Sequence, residues 1–584
     1  MSWVLAHPVL SFVIQLQTPN SELQTALALL AGTGRRIASP PPNIAHGGWG
    51  AQKHERAEGI DLDLWTTALA LSDGTTTTLI LDVDIQILTN ERADQIRAAV
   101  SEATGVPVQH IRACATHTHS GPVPYKSWIE QGYDLVGPWF DDLARWSAEA
   151  ACAALANLQP VDVRVGRGEC RINANRRCIT PGGERFLGVN PEGTCDHEVI
   201  VVRFDALASS AASPQRASKE EGTRSERGWA GSSAPGIEER PIMPRAELAA
   251  HLEPFSTPSQ DPEAEGLVKN VTCSPHVSRL ADSTAGLRAA SEGQIKELPS
   301  FDPPVATLVH YACHPTIMGP ANRLITPDFP GAMKRVVETA LGGHCVFLQG
   351  AAGNVGPVQG FQGDPKIYHQ LGAVLGHEVA RVALGLVSIP SAVQFREVIP
   401  SGAPLGWYEA RFATRAAAPL QVRELAVAVP LRDGLPEKNT AMAKLAEWKD
   451  RLSIAREKND AGAITEAIYM ARRADIQLRM ADDFGGKRSA PVRTHLITFG
   501  DVALVGCNIE PFCEIGLALK QRSPFPVTFL CGYTNGRMAY LPTAEEWAKG
   551  GYEVDNSPFG PEAAECLLNE ILATLRRLRD TGST

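Results

Sequence analysis

Two histidines, His117 and His119, stand two residues apart in the stretch THTHSGP (116–122), directly after an apolar run. In an extended chain alternate side chains share a face, so the spacing predicts two imidazoles a few ångströms apart at a strand end. That arrangement suits a metal site or a proton relay. An isolated HxH is short, however, and a hydrogen-bonded structural pair is the commoner account of it.

Other chemistry-bearing residues follow further apolar runs. His314 comes after TLVHYAC and before Pro315, with His310 four residues earlier on the expected same face. Either can face a crevice while the other packs, and Pro315 makes His314 the better placed. Glu510 lies between VALVGC and Pro511. Proline favours the first turn of a helix and the helix dipole welcomes a carboxylate there, so capping is a complete structural explanation for Glu510. The turn GAAGNVGP (350–357) allows close approach to backbone but lacks the Lys-Ser/Thr pair of a phosphate loop. In open α/β sheets strand ends gather at the ligand crevice, so these loops can converge. Two histidines and a glutamate would supply three protein ligands of a catalytic zinc and leave a position for water.

The elements that must carry them alternate between strand and helix. Residues 77–88 read as a strand run, 90–105 as a helix closed by Gly105, and 108–119 as the next strand. A helix at 140–158 precedes strands at 161–169 and 197–205. The pattern resumes with strand 304–315, helix 330–343, strand 344–350 and helix 366–387. Two charged amphipathic helices between Pro436 and Ala481 read as a surface hairpin, followed by strand 494–507 and helix 511–521. The fold class is α/β, mixed and multi-layered. Residues 207–303 shift to Ser, Pro, Ala, Glu and Arg without periodicity, which predicts a loop-rich or partly disordered insertion in a domain formed by 31–206 and 304–584, after an N-terminal extension 1–30.

The totals exclude several function classes. The 584 residues leave ample core for an enzyme, and 55 Lys and Arg against 65 Asp and Glu, a net charge of −10, disfavour nucleic acid as partner. The 12 cysteines are scattered without a CxxC pair, the N-terminus lacks a basic leader region, and no run reaches a membrane span. These features predict a cytoplasmic protein without integral membrane association; they leave oligomeric state open.

In order, the motifs ATHTHSGP (115–122), NRR (175–177), NPEG with Asp196, HPTIM (314–318) with Asp328, AAGNVGP (351–357), Glu510, and YLPTAEEW leading to GGYE and FGP resemble the neutral, non-lysosomal ceramidases, zinc amidases that cleave the N-acyl bond of sphingoid lipids. The resemblance implies zinc ligands at His117, His314, Glu510 and Tyr540. It implies His119 beside the metal as proton shuttle or as a supporting group behind the ligands, and Arg176 and Tyr552 facing the substrate amide. Asn354 and Gly356 fall in the substrate-facing turn.

At position 356 the chain departs from the family, whose turn carries a serine in a Gly-Asp-Val-Ser-Pro setting; here it reads Gly353-Asn354-Val355-Gly356-Pro357. The sequence also ends soon after FGP, where ceramidases continue into a small β-sandwich domain. Both differences point away from ceramide itself. The expectation is therefore a zinc-dependent hydrolase of an amide-type bond, an N-acyl amide or carbamate, in a small or lipid-like substrate. An esterase or lactonase on the same centre and a non-catalytic ligand-binding relative are the alternatives.

Overall fold

A computed structural model describes residues 29–49, 51–126, 129, 131–207, 302–390, 392–411 and 419–581. The expected N-terminal extension (1–30) and insertion (207–303) lie almost wholly outside the described residues.

Eight strands form one long mixed sheet, in the order His344–Gln349, Ala306–Tyr311, Glu198–Ala206, Gln159–Glu169, Leu30–Ile37, Trp65–Ser72, Thr77–Val83, Ile111–Ala115. A second sheet of four strands runs Gln421–Pro430, Ser489–Phe499, Val502–Cys507, Val527–Cys531. The apolar runs are nearly continuous because the strands are covered on both faces. In Thr77–Val83, seventh in that order, Ile80 points to one side and Leu79, Leu81 and Val83 to the other.

One cluster joins the sheets face to face: Leu69, Ile80, Val202 and Leu308 of the long sheet meet Val422, Ile497, Leu504 and Phe529 of the shorter one. The far side of the long sheet is covered by the helices Asn90–Thr104 and Val136–Ala156 at one end and Asp328–Leu341 and Pro365–Ser388 at the other. The far side of the four-stranded sheet is covered by Cys513–Arg522 and Ala563–Thr581, through Ile515, Leu567 and Ile571. The body is thus helix, sheet, sheet, helix. Pro365–Ser388 is by length and composition apolar enough to cross a membrane; it seats Tyr368, Leu375 and Val379 in the core.

Three expectations need correction. The run 494–507 is two strands, because Gly500, with φ +55°, turns the chain back on itself. The run 108–119 opens as a short 3-10 turn and its strand ends at Ala115. The helices Lys438–Glu457 and Ala461–Phe484 do form a hairpin, but Met480 and Phe484 enter the core and the second helix walls the main cavity.

Candidate metal centre

His117 lies past the strand end with φ +73°, a backbone conformation that is uncommon for a residue of this size. Its N–H is spent on Ile85 O at 2.9 Å. The two histidines are therefore set by a tight loop, not by the alternation of an extended strand. Their Nε2 atoms nonetheless stand 3.3 Å apart. His314 likewise lies beyond its strand, which ends at Tyr311, and its N–H is donated to Val355 O at 3.1 Å.

Main-chain carbonyls fix both tautomers. His117 Nδ1 is 2.6 Å from Gln86 O and His314 Nδ1 is 2.5 Å from Ala352 O. A carbonyl can only accept, so each Nδ1 carries the proton and each Nε2 turns a lone pair inward. His314 Nε2 is buried without a hydrogen-bond partner among the described residues. The ligand atoms of His117, His119 and His314 all lie within 4.8 Å of one another, a group able to hold a metal ion.

Glu510 stands against two of these histidines. Its Oε2 is 3.8 Å from His117 Nε2 and 3.6 Å from His314 Nε2, too long for hydrogen bonds and suited to donors that share one ion at about 2 Å from each. Arg537 reaches Oε1 through Nε and Nη2, each at 2.7 Å. Tyr533 donates to Oε2 at 3.3 Å and stacks on His117, ring centroids 4.0 Å apart. Glu510 is 1% exposed and the next helix begins at Cys513 with Phe512 as its cap. The helix-capping explanation of Glu510 is therefore replaced: it lies in a two-residue parallel bridge with Tyr540 and Leu541.

Electrostatics favours a charge pattern of neutral imidazoles and an ionised carboxylate. Burial, then the facing His314, holds His117 well below the ordinary imidazole range. Burial and Arg176 lower His314, and burial with His117 lowers His119. Burial opposes ionisation of Glu510, but Arg537 and His314 outweigh it and hold its carboxyl well below its ordinary value. Neutral nitrogen donors and one anionic oxygen suit a divalent metal ion.

The remaining expected residues surround this centre unevenly. Arg176 donates from Nη2 to the buried Tyr540 hydroxyl at 3.3 Å and from Nε to Glu553 at 3.0 Å. Arg177 holds the other Glu553 oxygen at 3.0 Å. Tyr552, 47% exposed, sits at the cavity with its ring 6.0 Å from that of Tyr540. Gly356 lies in a strand paired with Ala174, two residues before Arg176. Asn354 faces elsewhere: its side chain accepts from the Cys513 N–H and donates to Glu514, both at 2.8 Å, and so ties down a helix start. His310 is also apart from the centre, with Nε2 at 3.2 Å from Leu530 O.

A cavity of about 680 Å³ opens onto His117, His119, Glu510, Tyr540 and Tyr552. His119, on its wall, is held between Trp49, 4.8 Å between rings, and the Gln86 side chain, 3.1 Å from Nδ1. Gln86, Tyr533 and Arg537 escaped sequence reasoning. Arg537 offered the one available signal, a lone charge in TNGRMAYLP next to Tyr540.

No protein-family model matches the sequence, and no curated protein matches it either. The chain has the fold of the neutral ceramidases. It is similar to the crystal structure of neutral ceramidase from Pseudomonas aeruginosa, with a TM-score of 0.53 and 15% identity over 94% of this chain and 74% of that one. A ceramidase structure described as complexed with C2 gives the same score and identity over 95% and 76%.

Proposed function

We propose that this protein is a zinc-dependent hydrolase cleaving an amide-type bond, an N-acyl amide or carbamate, in a small or lipid-like substrate. The observation that carries the reading is the convergence of two Nδ1-anchored imidazoles and a buried carboxylate at the end of a large cavity. The likeness in fold to structures titled as ceramidases supports the amide chemistry.

His117, His314 and Glu510 would hold the ion, with Tyr540 beside them. Zinc so bound supplies Lewis acidity toward a carbonyl oxygen and toward water. His119 takes and returns the proton at Nε2, which faces the other imidazoles. With Nε2 free to take a proton the ring carries its own on Nδ1 before and after the transfer, so the neighbouring Gln86 amide serves it turned over, its oxygen accepting from Nδ1–H. Proton transfer of this kind contributes about 10²- to 10⁴-fold. Arg176, aligned by Glu553, and Tyr552 at the cavity are the donors for a developing oxyanion.

The test is hydrolysis of matched amide and ester chromogenic substrates by the zinc-loaded protein and by the protein after chelation. Amide turnover that vanishes with chelation and returns with zinc supports the reading. Turnover of esters alone selects an esterase or lactonase, and turnover of neither overturns catalysis.

A further inference from the structure

The cavity wall carries a cation that forms no ion pair with a carboxylate among the described residues. Five basic side chains line the cavity: Arg472, Arg479, Lys487, Arg493 and Arg537. Arg537 is held by Glu510, Arg493 by Asp94 at 2.6 Å and Arg479 by Asp475 at 3.0 Å, while Lys487 is exposed to solvent. Arg472 is half-buried and pairs with no carboxylate among the described residues. Among the described residues its one hydrogen bond is from Nη2 to the Gly48 carbonyl.

That single contact places Arg472 beside the proposed reaction centre. Gly48 adjoins Trp49, which packs on His119, and the Gly48 backbone lies against the Gln86 side chain that holds His119. Burial lowers the affinity of the guanidinium for its proton; Tyr552 opposes this, Arg479 adds to it, and Asp475, whose carboxylate is held by Arg479, opposes it less than either. A guanidinium has five donors in a fixed fork, and here one of them is used. A partly desolvated cation next to a second arginine is destabilised until an anion arrives, and a carboxylate matches its planar fork.

We propose that Arg472 is a specificity-determining residue that receives a carboxylate on the substrate, so that the protein acts on N-acyl compounds whose amine portion carries a free carboxylate, such as N-acyl amino acids. This rests on the hydrolase reading above and narrows its substrate class.

The experiment compares an N-acylglycine with its carboxamide, using the full chain loaded with zinc. It measures kcat/KM for each compound and, separately, Kd by calorimetry on zinc-free protein. The native protein should favour the carboxylate by about 10- to 100-fold, the range for hydrogen bonds to a charged group. Arg472→Gln should bring that ratio close to one, chiefly through KM and Kd. Arg472→Lys should retain part of it, because a point charge replaces the fork. Thermal melting of both variants checks that they fold. Equal handling of acid and amide by the native protein, or a full preference surviving in Arg472→Gln, overturns the proposal. Selective binding of the carboxylate without any turnover supports it while removing the hydrolase reading; turnover of both compounds at equal efficiency does the reverse.

Discussion

Glu510 and Tyr540 stand opposite each other across a parallel bridge only two residues long, Glu510 with Tyr540 and Pro511 with Leu541. Main-chain bonds from Glu510 N to Ala539 O, 2.9 Å, and from Phe512 N to Leu541 O, 3.1 Å, fix that register. It sets a carboxylate and a phenol side by side although thirty positions separate them, and it brings Arg537 within reach of the carboxylate. Glu510 thereby keeps Oε1 on Arg537 and turns Oε2 to the histidines.

Arg537→Gln should therefore weaken metal binding without removing a ligand. The loss of a partner that orients a ligating group typically costs about 10- to 100-fold in affinity. Competition for zinc against a chromogenic chelator measures it. Affinity equal to the native protein's would show that Arg537 does not orient Glu510.

The two histidines near Tyr311 should behave oppositely. His314→Ala deletes a buried Nε2 with no other partner and should abolish metal binding. His310→Ala loses a bond to Leu530 O and a contact with Phe529. It should keep the metal and lose about 2–4 kcal/mol of stability. Metal analysis and urea unfolding separate the two effects, and loss of metal in His310→Ala would contradict the assignment.

Lys334 links the site to the scaffold. Its ammonium lies 2.9 Å from both Asp82 and Asp84, all three buried, just before the loop whose Gln86 carbonyl orients His117. Burial, even against the pull of Lys334, raises Asp82 to about 6. Lys334→Met leaves two facing carboxylates unpaired and should cost about 3–5 kcal/mol in denaturant unfolding. A stability change under about 1 kcal/mol would contradict the role given to this cluster.

Gly356→Ser tests the position where the chain departs from the ceramidase pattern. Gly356 does not adopt positive φ, and a Cβ there would touch Arg176 Cβ and Cδ at an ordinary 3.6 Å. The variant should fold, keep its metal and change stability by no more than about 1 kcal/mol. The added hydroxyl beside Arg176 should lower turnover of the natural substrate class, read as kcat/KM. Unchanged kcat/KM would show that the space beside Gly356 is not used.

Much of the scaffold was legible because its strands are buried on both faces and its helices carry plain stop signals, as at Gly105 with φ +72°. The histidines were legible as types in a pattern, but not through the geometry first assigned to them: a strand period would align His117 with His119, whereas a left-handed residue in a loop does so. Glu510 read as a helix cap because Pro511 follows it; the short bridge to Tyr540 is a long-range pairing that no local signal announces. Arg472 was illegible for the same reason, and Arg537 showed only as a lone charge near Tyr540. Each is an ordinary charged residue until the fold sets one at the cavity wall, in no ion pair among the described residues, and the other against a buried carboxylate.

The central claim is that His117, His314 and Glu510 hold one zinc ion. Anomalous diffraction collected on either side of the zinc absorption edge, from crystals of the zinc-loaded protein, tests it directly. The account predicts a single strong peak between His117 Nε2, His314 Nε2 and Glu510 Oε2, at about 2 Å from each, absent in crystals of His314→Ala. No peak there in a folded, zinc-saturated protein, or a peak bounded by other side chains, would contradict it.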